Sequence, residues 1–154
     1  LGLELDPILA GVANLKSVAG RFLPFKWGNR LIIDDSYNAN PTSMEAALRN
    51  FNQHFSGKRA VFLGDMLELG DSTIEEHKSV IELLKTFSFD VVVLVGKYFR
   101  DTANSSGILS FETSRDAAEW AVQQQFENYN ILIKGSRGSK MEIVMEGISG
   151  KVMS

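Results

Sequence analysis

The sequence contains no cysteine among its 154 residues. Disulfide frameworks, thiolate nucleophiles and cysteine-ligated zinc sites are therefore excluded, and this absence is compatible with a reducing compartment. No apolar run approaches the roughly 18 residues that a membrane-spanning helix requires. A basic segment followed by an apolar one, as in secretory signals, does not open the chain. We therefore expect a soluble, cytoplasmic protein with no membrane partner.

An excess of basic residues is also lacking, since the net charge is -3 and the isoelectric point is about 5.4. Proteins that bind nucleic acid by neutralising phosphates carry basic surfaces, so no nucleic-acid partner is expected. The two histidines, His54 and His77, support neither a zinc site nor a nucleophilic triad. The loop Gly-x-x-x-x-Gly-Lys-[Ser/Thr] is absent, so the chain has no triphosphate-holding loop of that type.

Hydrophobic residues make up 44% of the chain and charged residues 23%, as is typical of a single globular domain. Strand-like segments such as 91–95 alternate with helix-like segments, which predicts an α/β fold with a mainly parallel sheet. Residues 21–27 and 30–34 predict two strands joined by a tight turn at Gly28-Asn29. This pair would add an antiparallel hairpin at one edge of the sheet.

Helix starts are indicated at three places. The segments Thr42 to Glu45 and Ser72 to Glu75 have the capping-box pattern, and Ser114 is a candidate cap for a third helix. His77 falls on the apolar face of the helix that follows Ser72, together with Ile74. A buried structural histidine is the interpretation that this position favours.

The segment Asp34-Asp35-Ser36-Tyr37-Asn38-Ala39-Asn40-Pro41 stands where a strand passes into a helix. In an open α/β sheet, such loops lie at the carboxyl edge, where ligands are held. The paired acids could bind a ribose hydroxyl, a metal or an ammonium group, or one of them could simply cap the turn. The dipeptide Asn40-Pro41 is also typical of a helix start.

Two further loops should reach the same edge. The segment 64–71 carries acids at positions 65, 68 and 71, which could bind a metal or could stay solvated while Met66 and Leu67 enter the core. The segment 134–140 is rich in glycine and cations. It could bind a carboxylate or phosphate, or it could be a flexible loop with solvated charges.

Several strings of the sequence occur together in one known family. These are Gly20-Arg21-Phe22, the 34–41 segment with Ser43-Met44 and Ala46-Ala47-Leu48, Gly64-Asp65-Met66-Leu67-Glu68-Leu69-Gly70, His77, and Lys134-Gly135-Ser136-Arg137. Over nearly its whole length the chain resembles the carboxyl-terminal domain of a Mur ligase. The resemblance implies a Rossmann-like, three-layer αβα domain over residues 18–154. Residues 1–17 would be the end of the preceding central domain, forming a hinge helix.

Within that family, the strings most resemble the member that adds D-Ala-D-Ala to UDP-N-acetylmuramoyl-tripeptide during peptidoglycan precursor synthesis. The resemblance implies that ATP and Mg²⁺ are used to form an acyl phosphate, which the amine then attacks. Mg²⁺ and the phosphates would be held mainly by the enzyme's own central domain, and a separate amino-terminal domain would bind the UDP-sugar. The protein would be a monomer, and this domain alone would be inactive.

The resemblance also implies roles for individual residues. Arg21 and Asp35 would contact the nucleotide. Substrate binding would fall to Tyr37, Asn38, Asn40, Asp65, Ser136 and Arg137. No catalytic residue or metal ligand is expected in this chain, since these groups act by positioning and electrostatics. Two alternatives stay open from the residues themselves: an amide ligase of the folylpolyglutamate type, and a non-enzymatic, doubly wound ligand-binding module.

Overall fold

The computed structural model describes residues 23–27, 30–36, 38–104 and 106–150, with only the backbone described at 23–27 and 30. The strands are β1 (Leu23–Trp27), β2 (Arg30–Asp35), β3 (Lys58–Gly64), β4 (Val91–Val95), β5 (Leu109–Phe111) and β6 (Tyr129–Lys134). The helices are α1 (Pro41–His54), α2 (Thr73–Leu84), α3 (Lys97–Thr102), α4 (Ser114–Val122) and α5 (Glu142–Ser149). Two short 3₁₀ turns occupy Gly70–Ser72 and Arg137–Ser139.

The six strands form one sheet in the order β1-β2-β6-β3-β4-β5. β1 runs antiparallel to β2, and every other pairing is parallel. The α/β prediction, with a mainly parallel sheet and an antiparallel strand at one edge, is therefore confirmed. The predicted turn at Gly28-Asn29 lies outside the described residues, as does the proposed boundary between residues 17 and 18.

Side chains alternate along each strand, and the two faces of the sheet carry separate hydrophobic clusters. Val61 and Leu63 of β3 pack in one cluster with residues of α1, α2 and α3. Ala60 and Phe62 pack in the other with residues of α4 and α5. Helices thus cover both faces, which is the predicted three-layer αβα arrangement. None of the described helices is long and apolar enough to cross a membrane.

The start of α1 differs from the predicted one. Asn40 is the N-cap, with an extended backbone, and Pro41 takes the first helical position. Asn40 Oδ1 accepts from the Ser43 N–H at 2.9 Å, and Ser43 Oγ accepts from the Asn40 N–H at 3.1 Å. The capping box predicted at Thr42 is therefore wrong by two residues, because proline fits the first turn and the residue before it stays extended.

The other two helix starts also need correction. Ser72 Oγ donates to the Leu69 carbonyl at 2.9 Å instead of capping α2, because a 3₁₀ turn leads directly into the helix. Ile74, predicted on the buried face, is 43% exposed. In α4 the cap is Thr113, whose side chain accepts from the Asp116 N–H, while Ser114 is already helical and buried.

The strand order creates a switch point at β6. The helices that follow its neighbours β2 and β3 pack on one face of the sheet, through residues such as Leu48 and Ile81. The helix that follows β6 packs on the opposite face, through Val144 and Ile148. Loops therefore diverge at the carboxyl end of β6 and open a crevice there, which is where ligands bind in sheets of this kind.

Candidate functional site

Ser136 joins three loops at the carboxyl edge of the sheet. Its hydroxyl donates to the Ala39 carbonyl at 3.1 Å and accepts from the Leu67 N–H at 2.9 Å. The Ser136 N–H also donates to the Asp65 carbonyl at 3.0 Å. The expectation that segments 34–41, 64–71 and 134–140 meet at one edge is confirmed. The hydroxyl of Ser136 is therefore already engaged within the domain, both as a donor and as an acceptor. Its predicted contact with substrate stays a prediction.

Asp35 forms a buried ion pair with Lys134. The distance from Lys134 Nζ to Asp35 Oδ2 is 2.7 Å, and the two side chains are 1% and 2% exposed. Lys134 Nζ also donates to the Asn38 carbonyl at 3.1 Å. Burial raises the pKa of Asp35 to about 6, although the ammonium of Lys134 acts in the opposite direction. The carboxylate that is predicted to contact the nucleotide is thus already held by Lys134 of the neighbouring strand.

Asn38 and Asn40 make local hydrogen bonds in the structure, and their proposed substrate contacts stay predictions. Asn38 is exposed, and its side chain accepts from the Ala39 N–H at 2.9 Å, whereas the Asn40 side chain caps α1. Asp34 Oδ1 accepts from the Ser36 N–H at 3.2 Å, so the turn-capping alternative is confirmed for the first acid of the pair. Arg21 and Tyr37 lie outside the described residues, so their proposed contacts stay predictions.

Asp65 caps the first turn of α3 from a neighbouring loop. Its two carboxylate oxygens accept from the backbone N–H groups of Tyr98, at 3.0 Å, and Phe99, at 2.9 Å. Its carboxylate is nearly buried. Burial raises the pKa of Asp65, while the two N–H donors oppose this shift. A structural role is therefore visible for Asp65, and its substrate role stays a prediction.

His77 is buried and holds the same loop. Its Nε2 accepts from the Met66 N–H at 3.1 Å, and its Nδ1 lies 2.7 Å from the Thr73 carbonyl. Because a carbonyl can only accept, the proton must be on Nδ1, and the ring is neutral. The prediction of a buried structural histidine is confirmed.

Arg137 lines a small pocket at the crevice. The pocket has a volume of about 230 Å³ and is also lined by Asn38, Leu67, Glu68, Ser136 and Gly138. Arg137 is exposed to solvent. Three of the residues predicted to bind substrate, Asn38, Ser136 and Arg137, are thereby brought together around one space.

A second, larger cleft of about 590 Å³ carries three cationic residues, Lys97, Arg115 and Lys140. All three are exposed, and none of their side chains has an ion-pair partner among the described residues. Two acids also line the cleft: the carboxylate of Glu112 pairs with Arg100 at 3.1 Å, and that of Asp65 accepts from the backbone N–H groups of α3. The cleft therefore has an excess of positive charge, which suits a carboxylate or a phosphate.

Sequence reasoning missed this cleft. Lys97 follows Gly96 at the end of β4 and was interpretable only as a fragment of a phosphate loop, whereas Lys140 belonged to the predicted anion loop. Nothing in the sequence around Arg115 indicated a binding site, because arginine occurs at helix starts for many reasons. The parallel pairings of β3 with β4, of β4 with β5 and of β3 with β6 bring these distant segments to one edge.

The two spaces are neighbours. Leu67 and Gly138 line both of them, and a Cβ atom placed on Gly138 would lie 2.6 Å from Leu67 Cδ1. Any larger residue at position 138 would therefore displace the side chain of Leu67. Leu67 and Gly138 thus form a low ridge between the pocket of Arg137 and the cationic cleft, so one ligand could extend across both.

The acids of segment 64–71 do not form a metal-binding cluster with other described residues. Over the described part of the chain, no three or more side chains of His, Asp or Glu come together in a group that could hold a metal ion. The alternative of a metal site on the acids of segment 64–71 therefore finds no support there. Asp65, the most buried of those acids, is occupied by backbone donors.

The sequence profile described as "Mur ligase, glutamate ligase domain" matches residues 20–137. The chain belongs to the Mur ligase family. Residues 20–137 include the loops that meet at Ser136, and they end at Arg137. The family match therefore covers the crevice described above, except for the end of the last loop and α5.

Curated relatives are similar along most of the chain. The sequence is 37% identical over 153 residues to the UDP-N-acetylmuramoyl-tripeptide–D-alanyl-D-alanine ligase of Escherichia coli K12, an alignment that covers 96% of this chain and 33% of that protein. It is 31% identical over 157 residues to the Bacillus subtilis 168 protein of the same name, covering 96% of this chain and 34% of the relative. The chain therefore spans about one third of the length of these relatives.

A solved structure has the same fold. A crystal structure of MurF from Acinetobacter baumannii superposes with a TM-score of 0.75 at 33% identity, covering 86% of this chain and 30% of that one. The Mur ligase fold prediction, a Rossmann-like αβα domain, is thereby confirmed.

Proposed function

We propose that the chain is the carboxyl-terminal domain of an ATP-dependent amide ligase that adds D-Ala-D-Ala to UDP-N-acetylmuramoyl-tripeptide in peptidoglycan precursor synthesis. Relatives from Escherichia coli and Bacillus subtilis, both named for this reaction, support the proposal at 37% and 31% identity. A structural neighbour from Thermotoga maritima, 27% identical with a TM-score of 0.72, covers 86% of this chain and 31% of that one and is a MurF ligase in complex with ADP.

The observation that carries the proposal is the cationic cleft beside the pocket of Arg137. D-Ala-D-Ala has one carboxylate and one amine that must reach an activated acyl group. Lys97, Arg115 and Lys140 supply uncompensated positive charge for the carboxylate. The low ridge of Leu67 and Gly138 lets the dipeptide extend towards Ser136 and Arg137. Binding at fixed orientation is the contribution expected from such a surface.

The nucleotide side of the proposal depends on Asp35 and Arg21. We infer that Asp35 contacts the ribose and that Arg21 reaches the nucleotide. ATP supplies the phosphoryl group that activates the tripeptide carboxylate as an acyl phosphate. Mg²⁺ belongs to the same proposal, held mainly by a central domain. Over the described residues the chain offers no metal cluster, so no step is assigned to a metal held by this domain.

The proposal has a wider set of partners. The domain would work with central and amino-terminal domains of the same protein, as a cytoplasmic monomer. Neither nucleic acid nor a membrane would be a partner, in keeping with the net charge of -3. A fragment limited to this chain would not release phosphate from ATP when supplied with tripeptide and D-Ala-D-Ala.

The complete protein that carries this chain tests the proposal. We expect phosphate release from ATP to require both the UDP-N-acetylmuramoyl-tripeptide and D-Ala-D-Ala. The dipeptide amide, which lacks the negative charge, should show a KM at least about tenfold higher, since a charge-assisted contact is lost. The Lys140→Ala and Arg115→Ala variants should raise the KM for D-Ala-D-Ala and narrow its advantage over the amide.

Two results would contradict the proposal. A preference for glutamate as the incoming amine would favour a folylpolyglutamate-type ligase. Tight binding of a small ligand without ATP turnover would favour a non-enzymatic module. The surface variant Lys85→Ala is the matched control, because Lys85, at the end of α2, forms an exposed ion pair with Glu82.

A further inference from the structure

Lys134 is a buried cation, and its ammonium group contacts the end of β2 and the loop that follows it. It stands directly opposite Asp35 in the last rung between β2 and β6. Its ammonium group donates to Asp35 Oδ2 at 2.7 Å and to the Asn38 carbonyl at 3.1 Å. With 1% of its side chain exposed, the ammonium has almost no contact with solvent. The cation therefore fixes both the acid at the end of β2 and the backbone that follows it.

The position of the pair separates it from an ordinary link inside a sheet. Alternate residues point to one face of a strand, so Asp35 lies on the same face as Ile33, and Lys134 lies on the same face as Leu132. Both apolar residues belong to the cluster beneath α1. The ion pair thus sits at the carboxyl edge, at the entrance to α1, where the crevice opens. A pair needed only for strand association could lie anywhere along the ladder.

Among the described residues, hydrogen bonds reach one of the two carboxylate oxygens of Asp35. Lys134 bonds Oδ2 of Asp35, and Oδ1 accepts no hydrogen bond from the described part of the chain. Oδ1 is also not among the atoms that are fully buried without a partner. A carboxylate fixed through one oxygen presents the other in a single orientation. Such an oxygen can accept from a ligand hydroxyl without first losing conformational freedom.

We propose that Lys134 is a positioning residue for the nucleotide: it holds Asp35 ionised and oriented so that Oδ1 accepts a hydroxyl group of the ribose. This inference rests on the proposed function, since it takes Asp35 as the ribose contact. Lys134 itself touches no ligand. Its effect on nucleotide binding passes through Asp35.

The charges around Asp35 give the proposal a pH signature. The charged groups that face it are Lys134 from β6, which favours the ionised form, and Asp34 from its own strand, which opposes it. Burial raises the pKa of Asp35 to about 6 even with Lys134 present. Removing the ammonium would leave burial and Asp34 unopposed, so the carboxyl group would keep its proton to a higher pH.

The test uses the complete protein with Lys134→Met, Lys134→Arg, Asp35→Asn and the Asp35→Asn/Lys134→Met double variant. The dissociation constant of ADP, by calorimetry, and the KM values of both substrates are measured between about pH 5.5 and pH 8.5. We expect Lys134→Met to weaken ADP binding and raise the KM of ATP at least about tenfold, with little change in kcat. The acid limb of kcat/KM for ATP should move to higher pH, and Lys134→Arg should restore part of the affinity.

The double variant separates positioning from general loss of structure. If Lys134 acts through Asp35, adding Lys134→Met to Asp35→Asn should weaken ADP binding little further, because the effects of coupled residues are not additive. Lys85→Met is the matched surface control and should leave ADP binding unchanged. The KM of D-Ala-D-Ala should change less than the KM of ATP in all four variants, since Asp35 and Lys134 line neither the cationic cleft nor the pocket of Arg137.

Failure of the inference can be told from failure of the proposed function. If the unaltered protein binds ADP but Lys134→Met binds it equally well with the same pH profile, the inference is overturned and the proposed function stands. If the unaltered protein binds no adenine nucleotide, both are overturned. Should Lys134→Met not fold, Lys134→Arg is compared alone and combined with Asp35→Asn, and fully additive losses of ADP affinity would overturn the proposal.

Discussion

The carboxylate of Asp65 accepts the backbone N–H of Phe99 at 2.9 Å, across the gap between the ends of β3 and β4. The residue that precedes α3 is Gly96, which has no side chain to cap the helix. The first turn of this six-residue helix therefore depends on an acid from another loop. His77 and Ser136 hydrogen-bond to the loop that carries Asp65. The Asp65 carboxylate therefore links α3 to the loops that line the crevice.

Replacing Asp65 by alanine should lower the free energy of unfolding by about 2 kcal/mol, because two backbone N–H groups lose their acceptors. Asp65→Asn keeps one acceptor oxygen and should lose less. Urea denaturation followed by circular dichroism measures both. Asp71, an exposed acid of the same segment, is the matched control, and Asp71→Ala should change stability by less than about 0.5 kcal/mol. Equal losses at both positions would contradict the capping role.

Gly96 and Gly107 form a second matched pair. Both have positive φ, at 117° and 80°, but a Cβ on Gly96 would fall against the Asp65 carboxylate, whereas one on Gly107 would meet nothing within 4 Å. Gly107→Ala should cost about 1 kcal/mol of backbone strain, and Gly96→Ala should cost clearly more because the cap must also move. Thermal denaturation compares the two. Similar melting temperatures would show that the cap tolerates displacement.

The pH dependence of stability should report Asp35. Its folded-state pKa of about 6 is above the ordinary 3.8, so the folded protein binds this proton more tightly. The stabilising contribution of the group is therefore fully present below pH 3.8 and is lost as the pH rises through about 6. The free energy of unfolding of the unaltered protein, minus that of Asp35→Asn, should fall between about pH 4 and pH 7. A difference that rises over this range would show that Lys134 outweighs burial.

Arg59 should stabilise the far side of the domain. Its guanidinium donates to the carbonyls of Asn52 and Phe55, both at 3.1 Å, at the end of α1, and it lies 5.0 Å from the ring centre of Phe89. Arg59→Met should lower the free energy of unfolding by about 2 kcal/mol, since these carbonyls lose their donor. Arg49→Met removes an exposed pair with Glu45 and should cost less than about 0.5 kcal/mol. Calorimetry or urea denaturation distinguishes them, and a smaller loss for Arg59→Met would be contrary to expectation.

The sequence predicted the elements well where the signal was periodic. The apolar strand Val91–Val95 and the helices on both faces follow from local residue patterns. Helix starts were less predictable. The side chains of Ser72 and Ser114 can cap a helix, but a 3₁₀ turn leads into α2 and Ser114 already belongs to α4. A 3₁₀ turn or a shift of one residue changes the cap without changing the pattern.

The location of the candidate site could be predicted from the sequence, but the contacts between its side chains could not. Loops after parallel strands must share an edge, so the meeting of segments 34–41, 64–71 and 134–140 followed from topology. The pairing of Asp35 with Lys134 did not, because it depends on β6 lying beside β2 at one particular register. Nor could the sequence show that Lys97, Arg115 and Lys140 border one cleft, since they follow three different strands, the first two in the opening turns of α3 and α4.

The position of β6 has a consequence for how the chain folds. This strand lies between β2 and β3, yet it is synthesised after β3, β4 and β5. Until it is in place, β2 and β3 each lack a neighbour, and the contact between residues 99 positions apart cannot form. Such long-range closure is slow relative to helix formation. On the ribosome, therefore, the middle of the sheet would stay open with two unpaired strand edges until β6 emerges.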